Sequence, residues 1–263
     1  MPVHSERRGR VGIITLDRPS ARNAFDGELT DGFVAAVDAF EEDSTIRAVV
    51  VTGTGNFSSG GDLSVIAVSG VGPISTPEGG FAGFVYRTRT KPYIAAVEGA
   101  AVGGGCELAL ACDIVVAGRS ATFSLPEVKR GLVAGAGGLV RLGASIGTGR
   151  AMLMLLTGAA VTAEKAYDFG LAAEVVDTGS ALASAVAVAE QIAANSPSAV
   201  RASLDLVRRA SGVEDQSLVA AQEQARVDAW ESVDRREGIQ AFLEKREPQW
   251  DDVTQNAEET LVR

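Results

Sequence analysis

The sequence predicts an α/β fold that gives way to an all-helical C-terminal region, and three observations carry that expectation. The N-terminal stretch alternates strand, helix and strand patterns, ending in the continuous apolar run from Ile46 to Thr52. Farther along, an apolar strand over 93–97 passes through Gly103-Gly104-Gly105 into an apolar helix carrying one carboxylate, Glu107. From Ser180 onward, Ala- and Val-rich helical patterns replace the alternation.

In chain order, residues 10–16 read as a strand, and Asp17 to Ala24 as a loop broken by Pro19. Asp26 can cap a helix whose apolar positions Leu29, Phe33, Val37 and Phe40 recur at helical spacing, with Asp43-Ser44 ending it. The apolar run 46–52 predicts a strand buried on both faces. The glycine-rich loop 53–63 invites a dinucleotide-binding reading, but Ser58 occupies the third glycine position of that fingerprint. It reads better as a loop of exposed amides, with Gly60 and Gly61 free to take unusual backbone angles. Residues 64–90 are interrupted by glycines and prolines and read as irregular, either a surface loop or the wall of a pocket. Short strands are expected at 114–117, 121–123 and 174–176, and helices at 137–146 and 150–156. Thr162 caps a further short helix that runs through Phe169 to Gly170. The C-terminal helices are expected at 180–194, 197–210, 214–230 and 234–245, with Pro248 stopping the last. Leu204, Val207, Leu218, Trp230, Phe242 and Trp250 would supply their apolar contacts.

At 263 residues and 46% hydrophobic content, the chain is long enough for one large core. A net charge of −10 argues against nucleic acid as the partner. The single histidine, His4, lies in an N-terminal tail expected to be mobile. That excludes a Ser-His-Asp or Cys-His hydrolase and any His-rich metal site, so no metal centre is expected. Cys106 and Cys112 offer no disulfide framework and point to a reducing cytoplasm. No apolar run approaches the roughly 18 residues of a membrane span, and Met1 to Arg10 lacks a signal-peptide core.

Glycines at a helix start let a ligand approach bare N–H groups where the dipole favours negative charge. Glu107 lies three residues after Gly104, on the same helix face. A second carboxylate follows in Leu125-Pro126-Glu127, ahead of the glycine-rich run Gly131 to Gly138. Two amides, those of Gly61 and Gly104, would make an oxyanion hole. Two carboxylates with separated pKa values would supply an acid and a base. Taken singly, a triple glycine also serves a tight turn, and a Glu after Pro also serves an exposed helix start. Cys106, with no histidine to activate it, reads as a packed residue.

In combination, Phe57-Ser58-Ser59-Gly60-Gly61-Asp62-Leu63, Gly103-Gly104-Gly105-Cys106-Glu107-Leu108-Ala109, Leu125-Pro126-Glu127 and Gly135-Ala136-Gly137-Gly138 resemble the enoyl-CoA hydratase (crotonase) family over nearly the whole chain. The resemblance implies a spiral of repeated ββα turns over 1–195 holding the active site, then a helical oligomerisation region over 196–263. It implies Gly61 and Gly104 as oxyanion donors and Glu107 and Glu127 as catalytic carboxylates. It implies contacts to the coenzyme A ester from Arg22, Ser59, Asp62, Leu63 and Lys245, with Arg246 as a further basic candidate. The implied reaction is hydration of a 2-enoyl-CoA, with coenzyme A part of the substrate and no separate cofactor, in a homotrimer or hexamer. Isomerisation, a specialised dehydration such as that of carnitinyl-CoA, and non-catalytic acyl-CoA binding are the alternatives. The chain departs from the family pattern at Ser64, Ala134, Leu139 and Val140, and the last three bear on the shape of the acyl pocket.

Overall fold

The structure, a computed structural model, describes residues 2–211 and 216–250. The expected helix start at 214 and the expected C-terminal region beyond 250 therefore lie outside the described residues. The chain opens with β1 (Val3–Arg8) and β2 (Val11–Leu16), paired antiparallel. The tail expected to be mobile is thus an edge strand. Its side chains beyond Val3 are exposed, so the ladder to β2 forms it and no apolar pattern announces it. His4 lies 2.9 Å from Asp17 at the surface. Helix α1 (Gly27–Glu42) begins where Asp26 accepts the Leu29 amide at 2.9 Å, and Leu29, Phe33, Val37 and Phe40 are all buried.

Strand β3 (Ala48–Gly53) leads through the glycine-rich loop to α2 (Leu63–Ser69), capped by Asp62. This helix falls in the stretch expected to be irregular; its two turns, cut off at Gly70, are too short to show a period. A small hairpin, β4 (Ser75–Thr76) with β5 (Gly80–Phe81), follows. Then come β6 (Tyr93–Val97), β7 (Ala100–Val102) and α3 (Gly104–Ala111). The next unit is β8 (Ile114–Gly118), β9 (Thr122–Ser124), a 3-10 turn over Glu127–Arg130 and α4 (Gly138–Ile146). The chain continues with α5 (Thr148–Thr157), β10 (Val161–Thr162), α6 (Ala163–Phe169) and β11 (Glu174–Val176). It closes with α7 (Ala181–Ala194), α8 (Pro197–Ala210), α9 (Gln216–Glu231) and α10 (Val233–Glu244).

The main sheet runs β1-β2-β3-β6-β8-β11, parallel except for β1. Both faces are covered, as parallel sheets require. Val11, Ile13, Ala48, Val50, Ile94, Ala96 and Val116 point to α7, whose alanines 181, 185, 189 and 193 allow close approach. Their sequence neighbours Ile14, Leu16, Val49, Val51, Tyr93, Ala95, Val97, Val115 and Ala117 point into the main core.

A second, thinner layer positions the site. β7 pairs parallel with β9, and β9 pairs antiparallel with β10. Single parallel bridges, Ser58 to Ala101 and Phe25 to Gly61, extend this layer. Each successive turn therefore runs main-sheet strand, short second-layer strand, helix: β2–Phe25–α1, β3–Ser58/Gly61–α2 and β6–β7–α3.

The C-terminal helices fold back onto this core. α9 packs against α4, and α10 packs against α2 and the 3-10 turn. Trp230 is half-buried on the main core, and Ile239 and Ala241 are buried. Several expected apolar contacts are absent: Val207, Leu218, Phe242 and Trp250 are exposed. α8 buries no residue at all. It is held by Arg208, whose guanidinium makes two 2.8 Å bonds to the Asp113 carboxylate and a 2.7 Å bond to the Arg89 carbonyl. The last helix ends at Glu244, before Pro248, where Lys245 adopts a left-handed conformation. Among the described residues, no helix is long and apolar enough to cross a membrane.

Candidate active site

Glu107 sits on the first turn of α3, an almost wholly apolar helix, and is 3% exposed. Its Oε1 accepts the Ala136 amide at 2.7 Å and the Gly138 amide at 2.8 Å. Burial pushes its carboxyl up, while those two amides and the charge of Arg141 oppose the rise. Glu127 opens the 3-10 turn after β9 and enters the same space: a Cβ on Gly103 would stand 3.0 Å from its Oε1. Its Oε2 is buried with no hydrogen-bond partner among the described residues. Burial, then the neighbouring charge of Glu107, push Glu127 up. The environments differ: Glu107 is held by two donors that favour its charge, and Glu127 has an oxygen with no donor among the described residues.

Gly61 and Gly104 stand at the strand-to-helix passages of successive turns of the spiral, Gly61 in the second-layer bridge ahead of the α2 cap and Gly104 as the first residue of α3. Neither amide donates to a backbone carbonyl outside the helices and strands among the described residues, and the first helical amides have no partner within their own helix. The two segments touch through backbone. Gly60, at φ +88°, lies so close that a Cβ there would be 2.8 Å from the Gly104 nitrogen. Gly61 itself has no positive φ, so of the two glycines expected to take unusual angles only Gly60 does.

Gly61, Gly104, Glu107 and Glu127 line one cleft of about 1020 Å³. Arg22, Ser59, Asp62 and Leu63 line it too. Ser59 is tied to the first loop, its amide donating to the Arg22 carbonyl at 3.0 Å. The Asp62 carboxylate is occupied: it caps α2 through the Ser64 amide at 3.1 Å and takes Arg18 at 2.8 Å. Burial raises its pKa, but the Ser64 hydroxyl and Arg18 outweigh that and hold it below the usual range. Its observed role is to hold the loop that presents Gly61. Lys245 is exposed beyond α10 and does not line the cleft, and Arg246 is bound to Glu237 and Glu244. Of the four departures from the family pattern, only Ser64 reaches the cleft; Ala134, Leu139 and Val140 do not line it.

Several residues escaped the sequence reading. Tyr86, in the stretch expected to be irregular, lines the cleft and donates its hydroxyl to the Gly135 carbonyl at 2.8 Å. Gln222 of α9 reaches the same hydroxyl. Glu223, Arg226 and Trp230 of α9, with Phe242 and Leu243 of α10, form the far wall. No local pattern could have found them, because each meets the site across a long separation in sequence. Among the described residues there is no cluster of His, Cys, Asp and Glu able to hold a metal ion.

A sequence profile described as enoyl-CoA hydratase/isomerase matches residues 6–255. The chain is 38% identical over 243 residues to 2,3-dehydroadipyl-CoA hydratase of Escherichia coli, covering 92% of this chain and 95% of that protein. Its fold superposes with TM-score 0.89 on a crystal structure of carnitinyl-CoA hydratase from Mycobacterium avium, at 42% identity over 95% of this chain and 98% of that one. A carnitinyl-CoA dehydratase structure from Mycobacterium avium 104 gives 0.86 at 43% identity, with the same coverage. The match along the chain, its two-layered ββα turns and these relatives agree: the protein belongs to the enoyl-CoA hydratase/isomerase family.

Proposed function

We propose that this protein hydrates a 2-enoyl-CoA reversibly, with the amides of Gly61 and Gly104 as the oxyanion hole and Glu107 and Glu127 as the proton-transfer pair. The family makes it a lyase acting on a carbon–oxygen bond of an acyl-CoA. The observation that carries the site assignment is the asymmetry of the two carboxylates, Glu107 buried and Glu127 half-buried. Glu107, aimed by the Ala136 and Gly138 amides, in its ionised form takes a proton from water as the water oxygen bonds to C3. Glu127, whose carboxyl is pushed up by burial and by the neighbouring Glu107 charge, delivers a proton to C2. The thioester oxygen gains negative charge between these steps, and the two amides stabilise it. Proton exchange between the carboxylates through water restores the starting state. The reading uses no cofactor beyond the coenzyme A of the substrate.

Arg22 and Ser59 at the cleft edge support a place there for the coenzyme A moiety. Exposed Met152, Leu153 and Leu156 on α5 and Tyr167 on α6 support self-association as a trimer or hexamer. The free, buried Cys106 and Cys112 support a reducing, cytoplasmic setting.

Loss of enoyl-thioester absorbance from crotonyl-CoA, with a 3-hydroxyacyl-CoA product, tests the reaction. No loss despite measurable binding would refute hydration of simple enoyl esters. The likeness to the carnitinyl-CoA hydratase and dehydratase structures from Mycobacterium favours a specialised dehydratase as the second reading, and carnitinyl-CoA is then the next substrate to test.

A further inference from the structure

The Ala136 amide that holds Glu107 and the Gly135 carbonyl belong to one peptide group. That group is planar, so its oxygen and its N–H cannot move independently. On the oxygen side, Tyr86 donates its hydroxyl at 2.8 Å, and the side-chain amide of Gln222 reaches both that hydroxyl and, at 3.4 Å, the Gly135 oxygen. Gln222 is 3% exposed although it comes from α9, and the Arg226 stem packs so closely over Gly135 that a Cβ there would be 2.7 Å away. Arg141 braces the next peptide, with Nη1 3.4 Å from the Ala136 carbonyl.

We propose that Tyr86 and Gln222 are positioning residues for Glu107: by pinning the Gly135 carbonyl they fix the plane of the 135–136 peptide, so that docking of α9 and the aim of the Glu107 carboxylate are one event. This deepens the reading of Glu107 as the base. The chain of bonds runs from Gln222 Nε2 to the Tyr86 hydroxyl, from that hydroxyl to the Gly135 oxygen, and from the Ala136 N–H to Glu107 Oε1. Each link polarises the next. Burial pushes the Tyr86 phenol up to about 12, so it remains a donor throughout the working range. Charged or titratable groups near Glu107 come from every side: Glu127 on the 3-10 turn, Arg141 on α4, Cys106 on α3 and Tyr86 itself. Glu223 and Arg226 stand beyond Tyr86 on α9. Replacing Gln222 removes none of these groups and among them breaks one hydrogen bond, that to the Tyr86 hydroxyl.

The test is a carboxyl titration of the full-length protein carrying 13C-labelled glutamate, with the Glu107 resonance assigned by its loss in Glu107→Gln. In Tyr86→Phe and in Gln222→Met, the Glu107 midpoint should rise by about half a pH unit or more, because an amide favouring the charged form is no longer held in place. On crotonyl-CoA, the pH profile of kcat should move the same way while KM stays within about twofold. An unchanged midpoint in both folded variants overturns the proposal. Should Tyr86→Phe fail to fold, Gln222→Met decides alone. The titration needs no turnover, so an inactive wild-type protein would refute the hydratase reading without touching this one.

Discussion

Replacing Glu127 by Gln should move activity and stability in opposite directions. The wild-type side chain is half-buried, with Oε2 fully enclosed and without a donor among the described residues, and lies beside Glu107. Its pKa in the folded protein is therefore above its value in the unfolded chain. As pH rises past the ordinary carboxylate range, the unfolded chain releases this proton while the folded chain retains it. Stability then falls with rising pH, and the loss levels off once the folded side chain ionises. Each unit of elevation corresponds to about 1.4 kcal/mol at the alkaline end. Gln carries no such penalty and nearly the same shape. Glu127→Gln should therefore be more stable than wild type by ~1–4 kcal/mol at pH 8, with the difference shrinking toward zero near pH 4. For a chain of this length each kcal/mol moves Tm by about 2–4 °C, so the gain is readable by thermal unfolding across that pH range. In the same preparation, kcat on crotonyl-CoA should drop by about 10²–10⁴-fold, the usual share of a proton-transfer group. A variant no more stable at pH 8 than wild type would refute the account of a strained, proton-holding carboxyl. Near-normal turnover would refute its part in the reaction.

Three further outcomes follow from the same structure. Gly60→Ala should cost far more activity than Gly61→Ala. At Gly60 a Cβ meets the Gly104 backbone nitrogen at 2.8 Å with φ at +88°, whereas at Gly61 it meets only the mobile ends of Ile74 and Ile66 at 2.7 and 2.8 Å; comparing kcat/KM and soluble yield of the two checks this. Arg208→Ala leaves the Asp113 carboxylate with only the Tyr93 amide as donor among the described residues and removes the main anchor of α8, and should destabilise the protein by about 1.5–3 kcal/mol in urea unfolding; a change below 1 kcal/mol would show that α8 is held by something else. Cys106 and Cys112 are buried, and burial pushes both thiols up, that of Cys112 to about 12, so iodoacetamide at pH 8 should label neither until denaturant is added, as read by mass spectrometry.

Elements built from local information were legible in advance. Asp26 with the Leu29, Phe33, Val37 and Phe40 series gave α1, the apolar run 93–97 gave β6, and Thr162 with Gly170 bracketed α6. What escaped was short or made by distant partners. β7 and the bridges at Phe25, Ser58 and Gly61 are too brief to show an alternation, and β1 exists only because β2 offers it a ladder. The site divides along the same line. The two carboxylates and the two glycines stood out because family-like motifs marked them. Tyr86 and Gln222 did not, since a hydrogen bond across 136 positions leaves no trace in either local sequence.

The register of the second layer has a further consequence. Gly61 sits in a second-layer bridge just before the cap of α2, and Gly104 opens α3 just past β7, in neighbouring turns of the same coil. The gap between their two N–H groups is therefore set by the pitch of the coil, a property of main-chain ladders, and side-chain identity contributes little to it. On the proposed reading, the grip on a thioester oxygen is in this sense a gauge machined into the scaffold. Walls such as those from α9 and α10 can be recut for a different acyl group without resetting it.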